Sequence, residues 1–133
     1  TNHNIGFGYI RPEYYDQVKS SSGWSCHKDT KKGDLVLVWR AKKRHDIAYL
    51  LKASSDSAPD PNWDYACNYS VLHEFKNRVD IKDLKDNDAF FKGWPAYSGN
   101  FQGRSFKIPL IYWNRLNQVA LRKEPEYKMF LIS

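Results

Sequence analysis

The sequence predicts an α+β domain built on a mainly antiparallel β-sheet. Two apolar runs, 31–41 and 44–56, are joined by the basic turn "AKKRHD", which is the pattern of a β-hairpin. The segment 108–119 resumes as a helix with Pro109 in its first turn, where proline is favoured. A chain of 133 residues has the size of one compact domain, so we expect sheet and helix to share a core.

The first half of the chain supplies the centre of the sheet. "IGFGYI" (5–10) predicts a first strand, and Pro12 then begins a predicted helix with acidic residues in its first turn, ending near Gly23. The run Leu35 to Trp39 follows a Gly-Asp turn signal and is apolar at every position, which predicts a strand buried on both faces. We expect it at the middle of the sheet, paired with 44–56.

The second half alternates between connections and regular elements. Ile111, Leu116 and Val119 are predicted to face the sheet from the last helix. The tail 124–133 fits either a last strand or a link to a further domain. The remaining predictions are a surface loop at 54–64, a strand at 66–79, a short helical turn at 80–87 introduced by Asp80, and an irregular stretch at 88–107.

Composition favours nucleic acid as the partner. The net charge is +6, the isoelectric point is near 9.3, and aromatic residues make up 16% of the chain, which is high for this length. No apolar run approaches a membrane span, and the first residues lack the pattern of a signal peptide. Cys26 and Cys67 are too few for a disulfide scaffold, so we expect a protein of the reducing cytoplasm.

Catalytic and metal sites are weakly supported by the sequence. Cys26 and His27 are adjacent, but neighbouring side chains point apart and rarely form a nucleophile and base pair. The loop carboxylates, Asp56, Asp60 and Asp64, match no calcium-binding spacing and suit a solvated turn. The four histidines show no zinc-ligand spacing: His3, His27, His45 and His73. We therefore expect neither an enzyme nor a cofactor or metal.

The five tryptophans divide by context. Trp39 lies in the buried strand run and Trp113 on the last helix, so both are predicted to be core residues. Trp24, Trp63 and Trp94 lie in connections rich in Ser, Gly, Pro and Asp, where a large ring stays partly wet unless it closes over something. These rings either cap a small core or stack on a guest such as an unstacked nucleobase.

Basic residues accompany these connections. Lys28, Lys31 and Lys32 follow Trp24, a second basic group fills the hairpin turn, and Arg104 lies in the last long connection. Each is ordinary surface by itself, but as a set they could follow a phosphate backbone, which contributes affinity without sequence information.

The order of motifs resembles that of a known family. It runs "GWSCHK", "KKGDLVLVWRA", "DIAYLLKASSDS", "WDYACNYSVLHEF", "VDIKDLKDN" and "NFQGRSFKIPLIYWNRL", and it is similar to the EVE domain, a PUA-like fold related to the YTH domain. The resemblance spans about residues 7 to 120 and places one EVE-like domain at 1–123, with 124–133 as a tail. It implies a twisted, partly closed, mainly antiparallel β-barrel flanked by helices, with a pocket between sheet and helix.

The resemblance also implies a site. YTH domains read N6-methyladenine in an aromatic cage, and EVE-like domains are associated with modified DNA bases. On this sequence the cage walls fall on Trp24 and Trp63, with Tyr65 and Trp94 as candidate third walls. The segment that contacts the base edge falls on "SGNFQGRS", making Asn100 and Gln102 candidates, and the backbone amides of Ser25 and Cys26 could also reach the base. That segment lacks the YTH aspartate, which leaves room for a modified cytosine.

The resulting hypothesis is a non-enzymatic reader that holds an extruded methylated or hydroxymethylated base, most simply in DNA. Lys28, Lys32 and Arg104 would bind phosphates. EVE-like domains are associated with restriction systems, so an effector nuclease or ATPase is an expected partner. Two alternatives stay open: a PUA-like RNA-binding domain, and a nuclease or base-processing enzyme that uses the loop aspartates.

Overall fold

The computed structural model describes residues 8–13, 18–20, 23–41, 43–101 and 105–127, without the side chains of Ser20 and Trp24. Seven strands and four helices make up most of this part of the chain. The strands are β1 (Gly8–Glu13), β2 (Gly23–Ser25), β3 (Leu35–Arg40), β4 (Asp46–Ala53), β5 (Ala58–Asp60), β6 (Asp64–Asp80) and β7 (Phe106–Ile108). The helices are α1 (Ile81–Lys85), α2 (Asp88–Phe91), α3 (Pro95–Ser98) and α4 (Leu110–Lys123), and Val18–Ser20 forms a 3₁₀ turn.

The strands form one mixed sheet in the order β2-β6-β4-β3-β1-β7, with β5 paired to β6 as well. Only β1 and β3 pair in parallel among these strands, so the α+β class with a mainly antiparallel sheet is confirmed. β3 and β4 form the predicted hairpin at the middle of the sheet. Within the described strands β7 does not pair with β2 or β5, so the sheet is open and the expected partial closure into a barrel is absent.

The two faces of the sheet carry separate hydrophobic clusters. Along β3, Leu35, Leu37 and Trp39 belong to the large cluster that also contains residues of all four helices. Val36 and Val38 alternate with them and belong to a smaller cluster on the opposite face. Because successive strand residues point to opposite faces, this division explains why the β3 sequence is apolar without interruption.

One close approach fixes α4 against β1 of the sheet. Gly8 pairs with both Leu35 and Ile108, and a Cβ atom placed on it would lie 2.1 Å from Cε3 of Trp113. Only glycine admits the indole at that distance. Trp113 and Trp39 are both 0% exposed, which confirms their predicted place in the core.

Three predictions about elements were wrong. Pro12 and Glu13 continue β1, where Pro12 pairs with Trp39, so no helix begins at Pro12. Proline is tolerated in such a strand where its missing N–H faces no ladder partner, and among the described residues β7 pairs with β1 only as far as Ile10. Ile111 is 60% exposed, since it lies about 200° around α4 from Trp113. The stretch 88–107 contains α2, α3 and part of β7 rather than irregular chain alone.

Other predictions about α4 and α1 are confirmed. Leu116 and Val119 are buried against the sheet, and Asp80 caps α1. Asp80 Oδ1 accepts a hydrogen bond from the Asp83 N–H, and Asp83 Oδ2 accepts one from the Asp80 N–H, both at 2.9 Å. This reciprocal arrangement is a capping box, which satisfies two backbone donors at the start of the helix.

The end of α4 is anchored to β6 by a buried carboxylate. Glu124 is 1% exposed, and its Oε1 accepts hydrogen bonds from the N–H groups of Lys76 at 2.6 Å and Asn77 at 2.9 Å. Its Oε2 contacts His73 Nε2. Tyr127, which is 3% exposed, packs on the rings of His73 and Phe75, so the first residues of the tail pack against the sheet.

The helices of the described part of the chain are too short or too polar to cross a lipid bilayer.

Candidate functional site

An open cleft of about 770 Å³ lies where β2, β5 and the start of β6 come together. Its size is within the range of small-molecule and cofactor sites and exceeds that of a single nucleobase. The residues that line it are Ser25, Cys26, His27, Lys28, Pro59, Asp60, Asn62, Trp63, Asp64, Tyr65 and Ser105. The structure thus brings together four of the predicted base-binding residues, Ser25, Cys26, Trp63 and Tyr65, and one predicted phosphate contact, Lys28.

A hydrogen-bonded turn positions Trp63 at the wall of the cleft. Asp60 Oδ2 accepts hydrogen bonds from the N–H groups of Asn62 at 2.9 Å and Trp63 at 3.1 Å. Asp64 then adopts the left-handed conformation, with φ of 62°, and Asp60 pairs with Asp64 across the turn. Aspartate tolerates this conformation better than most residues. Trp63 is left 44% exposed, and two of the loop carboxylates, Asp60 and Asp64, belong to the turn that presents the indole.

Strand β2 supplies the floor of the cleft. Its backbone pairs Trp24 with Cys67, and the Cys26 N–H donates a hydrogen bond of 3.1 Å to the Tyr65 carbonyl. This antiparallel pairing joins segments about 40 residues apart and places 25–27 beside Tyr65. The Trp24 side chain is outside the described part of the structure, and only its backbone position is known.

A small inner cavity lies behind this floor. Its volume is about 10 Å³, close to the space that one water molecule needs. It shares Ser25, Cys26, His27 and Ser105 with the open cleft, and its wall is completed by Tyr9, Arg11, Thr30, Val36, Leu51, Ala53, Cys67 and Tyr69. The surface that faces this cavity is almost entirely apolar.

Arg11 forms part of the inner wall although it is 3% exposed. Its guanidinium lies 5.2 Å from the centroid of the Tyr69 ring, 3.7 Å from Glu13, and 3.4 Å from the Ser25 carbonyl to which it donates. Burial lowers the pKa of Arg11, while Tyr69 and Glu13 oppose that change. A buried arginine held by these groups keeps a positive charge next to the floor of the cleft.

The two cysteines lie next to each other at the boundary between the cavities. A hydrogen bond between the thiols lowers the pKa of Cys26 and raises that of Cys67, and burial adds to the rise for Cys67. Cys26 lines both spaces and Cys67 lines the inner cavity, so the pair contributes a soft, weakly polar surface there.

His27 is the functional candidate that the sequence did not indicate. It borders the open cleft, the inner cavity and a neighbouring cleft of about 460 Å³. Its Nδ1 accepts a hydrogen bond of 3.1 Å from the Asp29 N–H, so the neutral ring carries its proton on Nε2. Burial lowers the pKa of His27, an effect that Asp29 opposes and that Lys107 and Lys28 reinforce.

The only sequence signal for this role is the spacing of His27 and Asp29, since a backbone N–H two residues on can reach an imidazole nitrogen. That local pattern fixes the ring, but it does not show which cavities the ring borders.

The other predicted residues lie elsewhere. Trp94 is 3% exposed, stacks on Tyr112 with centroids 5.1 Å apart and planes 8° apart, and reaches only the neighbouring cleft. Asn100 is exposed in a left-handed turn with φ of 56° and does not line the open cleft. Gln102 and Arg104 are outside the described residues. Lys32 borders a separate depression with Gly33 and Lys52.

The rim of the site carries mixed charge. Lys28 is exposed at the cleft, and Lys107 Nζ lies 3.0 Å from Asp29 Oδ2. The Lys107 contact lowers the pKa of Asp29. Among the described residues, no group of three or more His, Cys, Asp or Glu side chains is arranged to hold a metal ion.

Comparison with solved structures identifies the fold. A protein of Agrobacterium tumefaciens has a TM-score of 0.71 at 10% identity, covering 96% of this chain and 100% of that one. The DUF55 domain of human thymocyte nuclear protein 1 has a TM-score of 0.68 at 10% identity, covering 85% and 98%. The human THYN1 protein in complex with 5-methylcytosine-containing DNA has a TM-score of 0.67 at 11% identity, covering 92% and 100%.

These similarities define the fold of the molecule. The chain has the EVE-type fold that the resemblance predicted, and it shares this fold with the three structures over 85% to 96% of its length. No family model matches the sequence, and no curated protein matches it either. At identities near one in ten, the likeness establishes the fold alone.

Proposed function

We propose that this domain is a non-enzymatic reader that binds a modified base of DNA in the cleft beside Trp63. The observation that carries the proposal is an indole that a hydrogen-bonded turn leaves 44% exposed at the wall of a cleft wide enough for a nucleotide. An exposed aromatic ring in such a place stabilises an unstacked base by about 1 to 3 kcal/mol. The structurally similar human protein was solved with DNA that contains 5-methylcytosine, which supports this choice of ligand.

In this proposal the base leaves the duplex and stacks on Trp63, with Tyr65 beside it. The predicted role of Trp24 as the opposing wall stays a prediction, and its backbone lies in β2 next to Ser25. Extrusion costs a few kcal/mol, which stacking on two rings can offset. Trp94 is not included, since its ring is buried against Tyr112.

The floor of the cleft offers polar groups for the edge of the base. His27 presents its Nε2–H, because Nδ1 is occupied by the Asp29 amide. The Ser25 hydroxyl lies on the same floor. A donor and a hydroxyl together can match an acceptor on a cytosine edge. The predicted roles of Asn100 and Gln102 in reading the base edge stay predictions.

In this proposal, positive charge adds affinity for the phosphate backbone to the affinity that comes from stacking on the base. Lys28 at the cleft and the net charge of +6 favour a phosphate backbone, and the predicted phosphate contacts of Lys32 and Arg104 stay predictions. A reader without catalysis would act through an associated effector, such as a nuclease or ATPase in a restriction system, and in the cytoplasm of its cell.

Binding to matched oligonucleotides tests the proposal. Fluorescence anisotropy would compare DNA duplexes with one central cytosine, 5-methylcytosine or N6-methyladenine, and the equivalent RNA duplexes. We expect preferential binding of the DNA that contains 5-methylcytosine. A 2-aminopurine next to the modified base should brighten on binding, because extrusion of its neighbour unstacks it. Equal affinity for all probes, or a preference for RNA, would overturn the proposal.

A further inference from the structure

Cys26 and Cys67 are neighbouring free thiols on one face of the β2–β6 pair. The register places Trp24 opposite Cys67, and the hydrogen bond from the Cys26 N–H to the Tyr65 carbonyl places Cys26 opposite Tyr65. Cys26 and Cys67 are therefore diagonal neighbours on the same face, since residues two apart in a strand point to one side. Both line the inner cavity, and the hydrogen bond between their thiols indicates that the two sulfur atoms are turned toward each other.

The two thiols differ in exposure and in ease of ionisation. Cys26 is partly exposed and borders the open cleft, whereas Cys67 is 8% exposed. The hydrogen bond with Cys67 lowers the pKa of Cys26, burial opposes this change, and Thr30 and Arg11 lower the pKa further. The same hydrogen bond and burial raise the pKa of Cys67. Because the thiolate is the nucleophilic form, Cys26 is the reactive member of the pair.

Arg11 keeps a positive charge beside Cys26. Its Nη1 donates a hydrogen bond of 3.4 Å to the Ser25 carbonyl, which belongs to the peptide group that joins Ser25 to Cys26. The arginine is 3% exposed, so water and salt screen its charge only weakly. Reactive cysteines are typically partly exposed, electropositive in their surroundings and close to a second thiol. Cys26 has all three properties.

We propose that Cys26 is a redox modification site that hydrogen peroxide oxidises and that Cys67 resolves as an intramolecular disulfide. The Cys26 thiolate attacks one oxygen of the peroxide, so that an S–O bond forms, the O–O bond breaks, and the departing hydroxide takes up a proton to become water. The Cys67 sulfur then attacks the sulfenic sulfur of Cys26, so that the S–S bond forms, the S–O bond breaks, and the departing hydroxide takes the Cys67 proton. The two thiols together lose two electrons, and the peroxide becomes two water molecules.

Strand β2 can accommodate this bond. Diagonal positions of a sheet are about 7 to 8 Å apart, whereas the Cα atoms of a disulfide lie within about 7 Å of each other, so β2 must move slightly toward Cys67. β2 is a strand of three residues at the end of the sheet, and among the described strands it pairs with β6 alone. A small shift therefore disturbs few hydrogen bonds. Because Ser25, Cys26 and His27 line the open cleft, the shift also alters the floor of the cleft.

The reactivity of Cys26 can be compared with that of the same residue in the unfolded chain. Iodoacetamide would alkylate the protein over a series of pH values, in buffer and in urea, and peptide mass spectrometry would follow each cysteine separately. We expect the half-maximal rate at Cys26 to occur at a lower pH in the folded protein than in urea, with Cys67 labelled only in urea. A midpoint for Cys26 that is equal or higher in the folded protein would contradict its activation.

Oxidation tests the pairing. One equivalent of hydrogen peroxide should remove two hydrogens from the intact mass of the reduced protein, which should remain a monomer, and dithiothreitol should restore them. Cys67→Ser should instead stop at the sulfenic acid of Cys26, which dimedone traps. Cys26→Ser should keep its remaining thiol reduced over the same period. Circular dichroism and urea unfolding would show that both variants fold.

Three outcomes would overturn the inference. They are survival of both thiols in the original protein, formation of disulfide-linked dimers alone, and equally fast oxidation of Cys67 in Cys26→Ser. If a variant does not fold, the mass and alkylation measurements on the original protein still decide. None of these measurements involves DNA, so failure of the proposed function would leave this inference standing or falling by itself.

Discussion

Trp39, Trp94 and Trp113 are 0%, 3% and 0% exposed, whereas Trp63 at the cleft is 44% exposed. The buried three belong to the cluster between the sheet and its helices, and Trp94 stacks on Tyr112 while Trp113 lies over Gly8. The exposed one is held by backbone hydrogen bonds to Asp60. The difference teaches that the aromatic residues occupy two environments: rings enclosed by side chains stabilise the fold, whereas the ring of Trp63 is exposed at the cleft, as the proposed function requires.

The largest expected effect is the loss of stability when an enclosed tryptophan is removed. Trp113→Ala should lower the free energy of unfolding by about 3 to 5 kcal/mol, because it removes a fully buried indole and leaves a cavity. Urea unfolding followed by circular dichroism measures this. Ile111→Ala on the same helix is the control and should change stability by about 0.5 kcal/mol or less. A loss below 1 kcal/mol for Trp113→Ala would contradict the core role of that residue.

At the cleft, we expect a substitution to weaken DNA binding and to leave the stability of the fold nearly unchanged. Trp63→Ala should weaken binding of DNA that contains 5-methylcytosine by about 1 to 3 kcal/mol, through lost stacking, with little change in the free energy of unfolding. Anisotropy titrations and urea unfolding of the same preparation measure both. Ile111→Ala, which removes an exposed apolar side chain elsewhere, should bind normally. A variant that bound as well as the original protein would remove the observation on which the proposed function depends.

The anchor between α4 and β6 should respond to pH. Burial raises the pKa of Glu124, but the Asn77 amide, His73 and the Lys76 amide outweigh it, so that the pKa is lowered from its ordinary value of 4.5. A carboxylate with a lowered pKa stabilises the fold above that ordinary value, and the contribution is lost as the pH falls through the folded-state pKa.

Glu124→Gln should therefore reduce the free energy of unfolding by about 1 kcal/mol at pH 7, since hydrogen bonds to a charged acceptor are stronger than those to a neutral one. The gap between the two proteins should close as the pH falls below 4.5. Urea unfolding between pH 7 and pH 3 measures it. A gap that stayed constant over this range would show that the charge of Glu124 does not contribute.

For the turn that holds Trp63, we expect a smaller effect on binding than for Trp63 itself. Asp60→Ala removes the acceptor of the Asn62 and Trp63 amides and should weaken binding by about 0.5 to 1.5 kcal/mol, because the indole is then less well positioned. Asp86→Ala, which removes an exposed carboxylate at the end of α1, controls for the change in net charge. If the two variants bind alike, the turn does not position Trp63 for binding.

Much of the fold could be predicted because its signals are local. The Gly-Asp turn, the apolar runs of β3 and β4 and the Asp80 cap each lie within a few residues of the element they define. The helix predicted from Pro12 failed because pairing with Trp39 extends that segment, and no local pattern reveals a partner 27 residues away. Long-range strand pairing overrides local helix signals.

Part of the candidate site could also be predicted, because some of its signals are local. The polar context of Trp63 indicated an exposed ring, and the structure places that ring at the cleft. Trp94 has a similar Gly and Pro context but is buried, since α2, α3 and α4 meet around it. His27 gave almost no signal, because its importance comes from three cavities that meet at one ring.

The sequence by itself determined the α+β class, the central hairpin, the basic and aromatic character, and the ring of Trp63 as a candidate contact. These follow from composition and from residues close together in the chain. Only the tertiary structure decided that β2 pairs with β6, that Ser25, Cys26 and His27 thereby become the floor of a cleft, and that a small cavity lies behind them. Cavities are spaces between segments distant in sequence, so their size depends on packing that no local pattern encodes.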